Sequence, residues 1–161
     1  MSEITLTILG EPMGKQRPRA TTINGFVKTY TPKETTNYES KVVYEYKQRY
    51  ENMAFEPHRQ LKAVIIAYYS IPKSHYKFYK KTNSVELDKQ GQLMLRGFIR
   101  PTKKPDTDNI AKLCLDALNG IAYPDDSQIV ELVVEKWYAK EPKVEIAIWE
   151  LNNENWTQSN L

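Results

Sequence analysis

Apolar and polar positions alternate at the start of the chain, where Ile4, Leu6 and Ile8 are separated by Thr5 and Thr7. A period of two marks a strand with one buried face, so residues 3–9 are predicted to form one. Gly10, Pro12, Gly14 and Pro18 then interrupt any regular pattern. From Thr36 to Tyr50, Val42, Val43, Tyr46 and Tyr50 recur at helical spacing, and the turn from Pro32 to Thr36 opens that helix. Leu61 to Ile71 is apolar and β-branched almost throughout, the composition of a buried strand. Ser74 to Pro101 shows no period, and loops of that length in compact domains are functional or disordered. A second helix is expected over 107–119, with Ile110, Leu113, Cys114, Ala117 and Leu118 on one face and Gly120 as its terminator. Val130, Leu132 and Val134 mark a further strand, and Val144, Ile146 and Ile148 the next. Glu141 and Pro142 between them predict that these two pair as a hairpin. The polar tail, 152–161, is expected to fray. The order β-α-β-α-β-β, with no repeat and no linker, predicts a single α+β domain over 1–161. Its mixed sheet is packed by two helices and carries a long basic loop.

Composition narrows the class. A chain of 161 residues, 40% hydrophobic and 27% charged, can bury a core and fits neither a disordered tail nor a membrane protein. The longest apolar stretch, Ala63 to Tyr69, is too short to span a bilayer, and the first residues lack a signal peptide's apolar region, so a cytoplasmic location is expected. A lone cysteine, Cys114, leaves no disulfide framework and no cysteine-based zinc site.

Charge changes the picture more. The net charge is only +3, yet Gly14 to Lys33 carries five cations (Lys15, Arg17, Arg19, Lys28, Lys33) and no acid. Lys73 to Lys104 carries nine cations against Glu86 and Asp88, so the rest of the chain is acidic. Concentrated cations on an otherwise acidic protein suit a polyanion. In the second segment His75, Tyr76, Phe78 and Tyr79 stand among the lysines, as stacking on bases requires. A solvated loop kept soluble by its lysines is the alternative.

Two segments concentrate carboxylates: Lys104-Pro105-Asp106-Thr107-Asp108-Asn109-Ile110-Ala111-Lys112 and Pro124-Asp125-Asp126-Ser127. Asp108, Lys112 and Asp116 follow at i, i+4 and i+8, in one stripe of the second helix. Adjacent carboxylates repel unless a cation lies between them, and hard oxygen donors suit Mg²⁺ or Mn²⁺. The seven steps from Asn119 to Asp126 span about 23 Å when extended, enough to return to the helix start if the loop runs back along the helix. Asp106, Asp108 and Asp126 would then form a metal-binding cluster with Lys112 one turn away, chemistry suited to phosphodiester hydrolysis. Equally, Asp106 reads as a helix N-cap, Asp108 as a favourable charge on the helix dipole, and Asp125-Asp126 as turn residues. An EF-hand is excluded by Ala111 and Ala117, and a phosphate loop over Gly10 to Lys15 by its short spacing and by Gln16. His58 and His75 have no partner at a useful spacing.

Three blocks in this order resemble the RusA family of Holliday-junction resolvases, endodeoxyribonucleases common in prophages. They are Gly10-Glu11-Pro12-Met13-Gly14-Lys15-Gln16-Arg17-Pro18-Arg19, then Lys104 to Lys112 running into Leu115-Asp116-Ala117-Leu118, then Asp125-Asp126-Ser127-Gln128. The resemblance runs from Ile4 to Ile148. It implies a homodimer that binds four-way DNA junctions and makes paired symmetric nicks with Mg²⁺, with Mn²⁺ as substitute and no organic cofactor. Position by position, Asp106, Asp108 and Asp126 match the family's catalytic, metal-binding aspartates and Lys112 its essential lysine. Asp116 and Asp125 match further acidic positions. Where relatives carry an arginine run before the first aspartate, this chain has Thr102-Lys103-Lys104-Pro105, which makes Lys103 and Lys104 the expected phosphate contacts. Lys15, Arg17 and Arg19 are expected on the DNA backbone, as are Lys77, Lys80 and Lys81. The competing readings are a non-catalytic structure-specific DNA-binding protein and a nuclease for other branched DNA.

Overall fold

The computed structural model describes residues 2–23 and 26–151, so the tail at 152–161 lies outside the described residues. The first strand, β1 (Glu3–Leu9), buries Ile4, Leu6 and Ile8 as the alternation predicts. Pro32, with φ −55°, stands at the cap position of α1 (Lys33–Tyr50), which therefore begins three residues before Thr36. The central strand, β4 (Leu61–Ser70), alternates buried and half-buried positions along its whole length. The remaining main elements are α3 (Thr107–Leu118), β7 (Ile129–Ala139) and β8 (Lys143–Glu150).

These strands form one mixed sheet in the order β1-β8-β4-β7, with β7 parallel to β4 and the other pairs antiparallel. Helices α1 and α3 cover one face. Val42 and Tyr46 from α1, with Ile110, Cys114 and Leu118 from α3, pack on Ile4, Leu6, Ala63, Ile65, Val144, Ile146 and Ile148. The protein is a single small α+β domain, as the pattern predicts.

Three expectations are corrected. The strands β7 and β8 do not pair as a hairpin, because β4 inserts between them and hydrogen-bonds to both. The most continuously apolar strand gains most from two paired edges and a covered face, and the three-residue link 140–142 reaches across its end. The irregular segments also hold structure. Residues 19–30 contain a two-stranded ribbon, β2 (Arg19–Ile23) and β3 (Phe26–Tyr30). The supposed loop 74–101 contains the hairpin β5 (Tyr76–Tyr79) and β6 (Ser84–Leu87), then helix α2 (Lys89–Leu95). Four-residue exposed strands leave no readable period, and α2 is announced only by Asp88, whose carboxylate accepts from the Gly91 amide at 2.8 Å. His75 is not without a partner: its Nδ1 lies 3.1 Å from the Asp88 carboxylate, a contact made in space rather than at a sequence spacing.

Candidate active site

The start of α3 is anchored from three sides. Tyr69, at the end of β4, donates its hydroxyl to the Pro105 carbonyl (3.3 Å), and the Lys136 ammonium, from β7, donates to the same oxygen at 3.0 Å. The N-terminal basic block closes the third side. The Lys15 amide donates to the Asn109 carbonyl at 2.8 Å. A Cβ at Gly14 would fall 2.6 Å from Pro105 Cβ and 3.0 Å from Asn109 Cβ, so only glycine permits this approach. Two sequence segments far apart in the chain thus line one open cleft of about 500 Å³, walled by Lys15, Arg17, Lys104, Pro105, Asp106 and Asn109.

Asp106 stands at the N-cap position of α3, but its side chain makes no capping hydrogen bond. The capping alternative therefore does not account for it, and this exposed residue lines the cleft together with Arg17 and Lys104. Asp108 and Lys112 lie on the exposed face of the same helix and take part in no ion pair among the described residues. Lys15 differs. It turns onto Glu39 and lies 3.1 Å from Asp116, which neutralises it within the chain. Its burial alone would lower its pKa, but the hydrogen bonds and charges of Glu39 and Asp116 outweigh that and the net shift is upward.

Further residues support this end of the sheet. The Tyr69 phenol is pushed up to about 12, by burial first and then by the charges of Glu11 and Asp106, so it stays a neutral donor to Pro105. Glu11 accepts from the Ser70 hydroxyl and amide. Lys103 lies over the Tyr69 ring at 5.1 Å, and Arg100 stacks on Trp137 at 3.2 Å while donating to the Lys136 carbonyl. Tyr69 and Lys136 sit inside ordinary strand patterns, so their role becomes visible only once β4 and β7 end beside Pro105.

The second acidic segment lies elsewhere. After α3 the chain turns back on itself at once: the Ala122 amide donates to the Leu118 carbonyl, and Tyr123 donates its hydroxyl to the Leu115 carbonyl. Asp126 then opens a short turn that leads into β7, whose first residue pairs with Leu61 at the opposite end of β4 from Tyr69. The loop does not run back along α3, whose twelve residues span about 18 Å. Among the described residues no group of three or more His, Cys, Asp or Glu is arranged to hold a metal ion. Within the segment the roles divide. Asp125 caps the turn by accepting from the Ser127 amide (2.8 Å); the Ser127 side chain first, and then this amide, hold its carboxyl below the ordinary value. Gln128 donates to the carbonyls of Glu56 and Arg59. Asp126 makes no such contact among the described residues; its charge, after burial, helps to push the Tyr123 phenol upward.

The other expected DNA contacts are exposed. Arg17 lies at the cleft rim, Arg19 begins β2, Lys104 lines the cleft, and Lys77, Lys80 and Lys81 ride the β5–β6 hairpin. No described helix is long and apolar enough to cross a membrane.

A four-stranded mixed sheet that presents unpaired aspartates and cations at one end defines a candidate phosphodiester-processing enzyme. The chain matches the family described as Endodeoxyribonuclease RusA over residues 10–149 and belongs to that family. It is also 36% identical over 153 residues to "Uncharacterized protein YqaN" of Bacillus subtilis (strain 168), covering 94% of this chain and 99% of that protein. Family membership indicates endodeoxyribonuclease activity.

Proposed function

We propose that this protein resolves Holliday junctions by paired symmetric nicks, as a divalent-metal-dependent homodimer acting in the cytoplasm. The observation that carries the reading is Asp106: a carboxylate at a helix start that does not cap the helix, in one cleft with Arg17 and Lys104. The donor set fits a hard cation, since Mg²⁺ is commonly held by one or two carboxylates together with substrate phosphates. Asp106 and Asp108 would hold it, and when bound it supplies charge neutralisation and an activated water at a phosphodiester. Lys112, one turn beyond Asp108, places a cation where charge builds on the phosphoryl oxygens. Arg17, Lys103 and Lys104 grip the adjoining backbone, and Lys77, Lys80 and Lys81 extend that grip outward. Arg19 continues it along β2. Lys15, already paired, positions the basic block.

A second copy gives Asp126 a place in this scheme. The outer strand β7 leaves Val130, Leu132 and Val133 exposed at its N-terminal half. Antiparallel pairing of two such edges about a two-fold axis reverses strand direction. It therefore carries the partner's Asp126 toward the Asp106 end of this protomer. Two equivalent sites also match a substrate with two equivalent strands to cut.

The test is incubation of the purified protein with a labelled mobile four-way junction and Mg²⁺ or Mn²⁺, beside linear duplex and flap controls. Symmetric nicks confined to the junction are expected. Binding without cutting with either ion would overturn the catalytic reading, and equal cutting of every branched substrate would remove the junction from it.

A further inference from the structure

The β2–β3 ribbon is an unusual element for a small domain. Every side chain described in it is exposed, on both faces, with Phe26 at 78% and Val27 at 73%. A two-stranded ribbon alone is marginal in water, so a free one of this kind is built to be covered by something else.

Its two faces differ in chemistry. The register pairs Arg19 with Tyr30 and Thr21 with Lys28, and residues opposite one another share a face. One face therefore carries Arg19, Thr21, Phe26, Lys28 and Tyr30, and the other Ala20, Thr22, Val27 and Thr29. Both cations and both aromatic rings fall on the same side. No acidic residue occurs between Gly14 and Lys33 to offset them. The ribbon also begins two residues after Arg17, so it grows directly from the cleft that holds Asp106.

We propose that this ribbon is a duplex-DNA arm, whose Arg19, Phe26, Lys28 and Tyr30 face lies in a groove of the DNA next to the cleft. The dimensions agree: each five-residue strand is about 17 Å long, and the major groove, about 12 Å wide, admits a two-stranded ribbon. Arg19 and Lys28 contact phosphates, Tyr30 and Phe26 contact sugar and base edges, and the small Ala20–Thr29 face stays toward solvent. The proposal rests on the reading of the cleft as a DNA site and adds how the flanking duplex is held.

Binding is measured without divalent ions to a linear duplex and to a four-way junction, over a series of salt concentrations. Arg19→Ala with Lys28→Ala should lower the slope of log affinity against log salt by about 1.8, at about 0.9 for each phosphate that is no longer neutralised. Phe26→Ala with Tyr30→Ala should weaken binding several-fold and leave the slope unchanged. Both variants should retain the wild-type circular dichroism and melting temperature, since all four side chains are exposed. Wild-type slope and affinity in both variants would overturn the arm. So would a weakening that tracks with dissociation of the dimer in sedimentation, which would make the ribbon an interface between copies. The two readings fail separately. A protein that binds both DNAs and cuts neither loses the resolvase reading, while the arm stands or falls on the binding series.

Discussion

Two aspartates at opposite ends of α3 show how one residue type divides its work by local geometry. Asp125 spends its carboxylate on the Ser127 amide, whereas Asp106 occupies a cap position without capping. Asp106→Asn should therefore leave the melting temperature unchanged and reduce cleavage about 100-fold or more, since a charge interaction worth several kcal/mol is removed. Asp125→Ala should do the reverse, lowering the melting temperature and sparing the chemistry. Both are checked by single-turnover cleavage beside thermal unfolding. Gly14 makes the tightest approach at the site. Gly14→Ala should cost about 1–3 kcal/mol in denaturant titration. It should also weaken DNA binding, because the added Cβ pushes the basic block away from Pro105 and Asn109. Asp88 carries a pH dependence. The Gly91 amide first, and then His75, hold its carboxyl below the ordinary 3.8. A depressed carboxyl contributes its stabilisation above the ordinary value and loses it as pH falls through the lowered one. Protection of the Gly91 amide in hydrogen exchange should fall in that acid range, and Asp88→Ala should abolish the dependence.

At the scale of elements, the helices and strands that build the core follow from period alone, while the exposed ones do not. In β1 the alternation reports a buried face, in β4 the near-continuous apolar run marks a buried strand, and in α3 the stripe from Ile110 to Leu118 reports a buried face. The β5–β6 hairpin buries too little to leave such a trace. Its lysines nonetheless have an expected effect: Lys77, Lys80 and Lys81 changed together to Ala should flatten the salt dependence of junction binding by up to about 2.7 in slope. An unchanged slope would return the hairpin to a solvated extension. The edge of β7 makes a separate prediction. On the proposed pairing of two β7 edges, Leu132→Arg should leave a folded monomer in light scattering and abolish cleavage, because the charge would be buried against the second edge.

Across the whole molecule, one end of the sheet collects the chemistry. The C-terminal ends of β4 and β7, the start of α3 and the basic block converge there, and the β2–β3 and β5–β6 ribbons both leave from it. Parts of both basic segments that stood out along the chain, Lys15 and Arg17 from the first and Lys104 from the second, line one cleft with Asp106. Asp126 is the exception, at the far end of α3 beside Tyr123.

Local physics governs everything that was legible along the chain alone. Side-chain period separates strand from helix, cation density marks a polyanion surface, and the Pro-Asp-x-Asp-Asn-x-x-Lys block with Asp-Asp-x-Gln carries the family resemblance. Tertiary packing settled the rest. Strand order followed from which backbone edges found partners, and that placed β4 between β7 and β8. The same long-range packing brought Gly14 against Pro105, neutralised Lys15 with Glu39 and Asp116, and sent Asp126 away from Asp106. A carboxylate's role depends on which donors come within about 3 Å of it, and that distance is set by the fold, not by spacing along the chain.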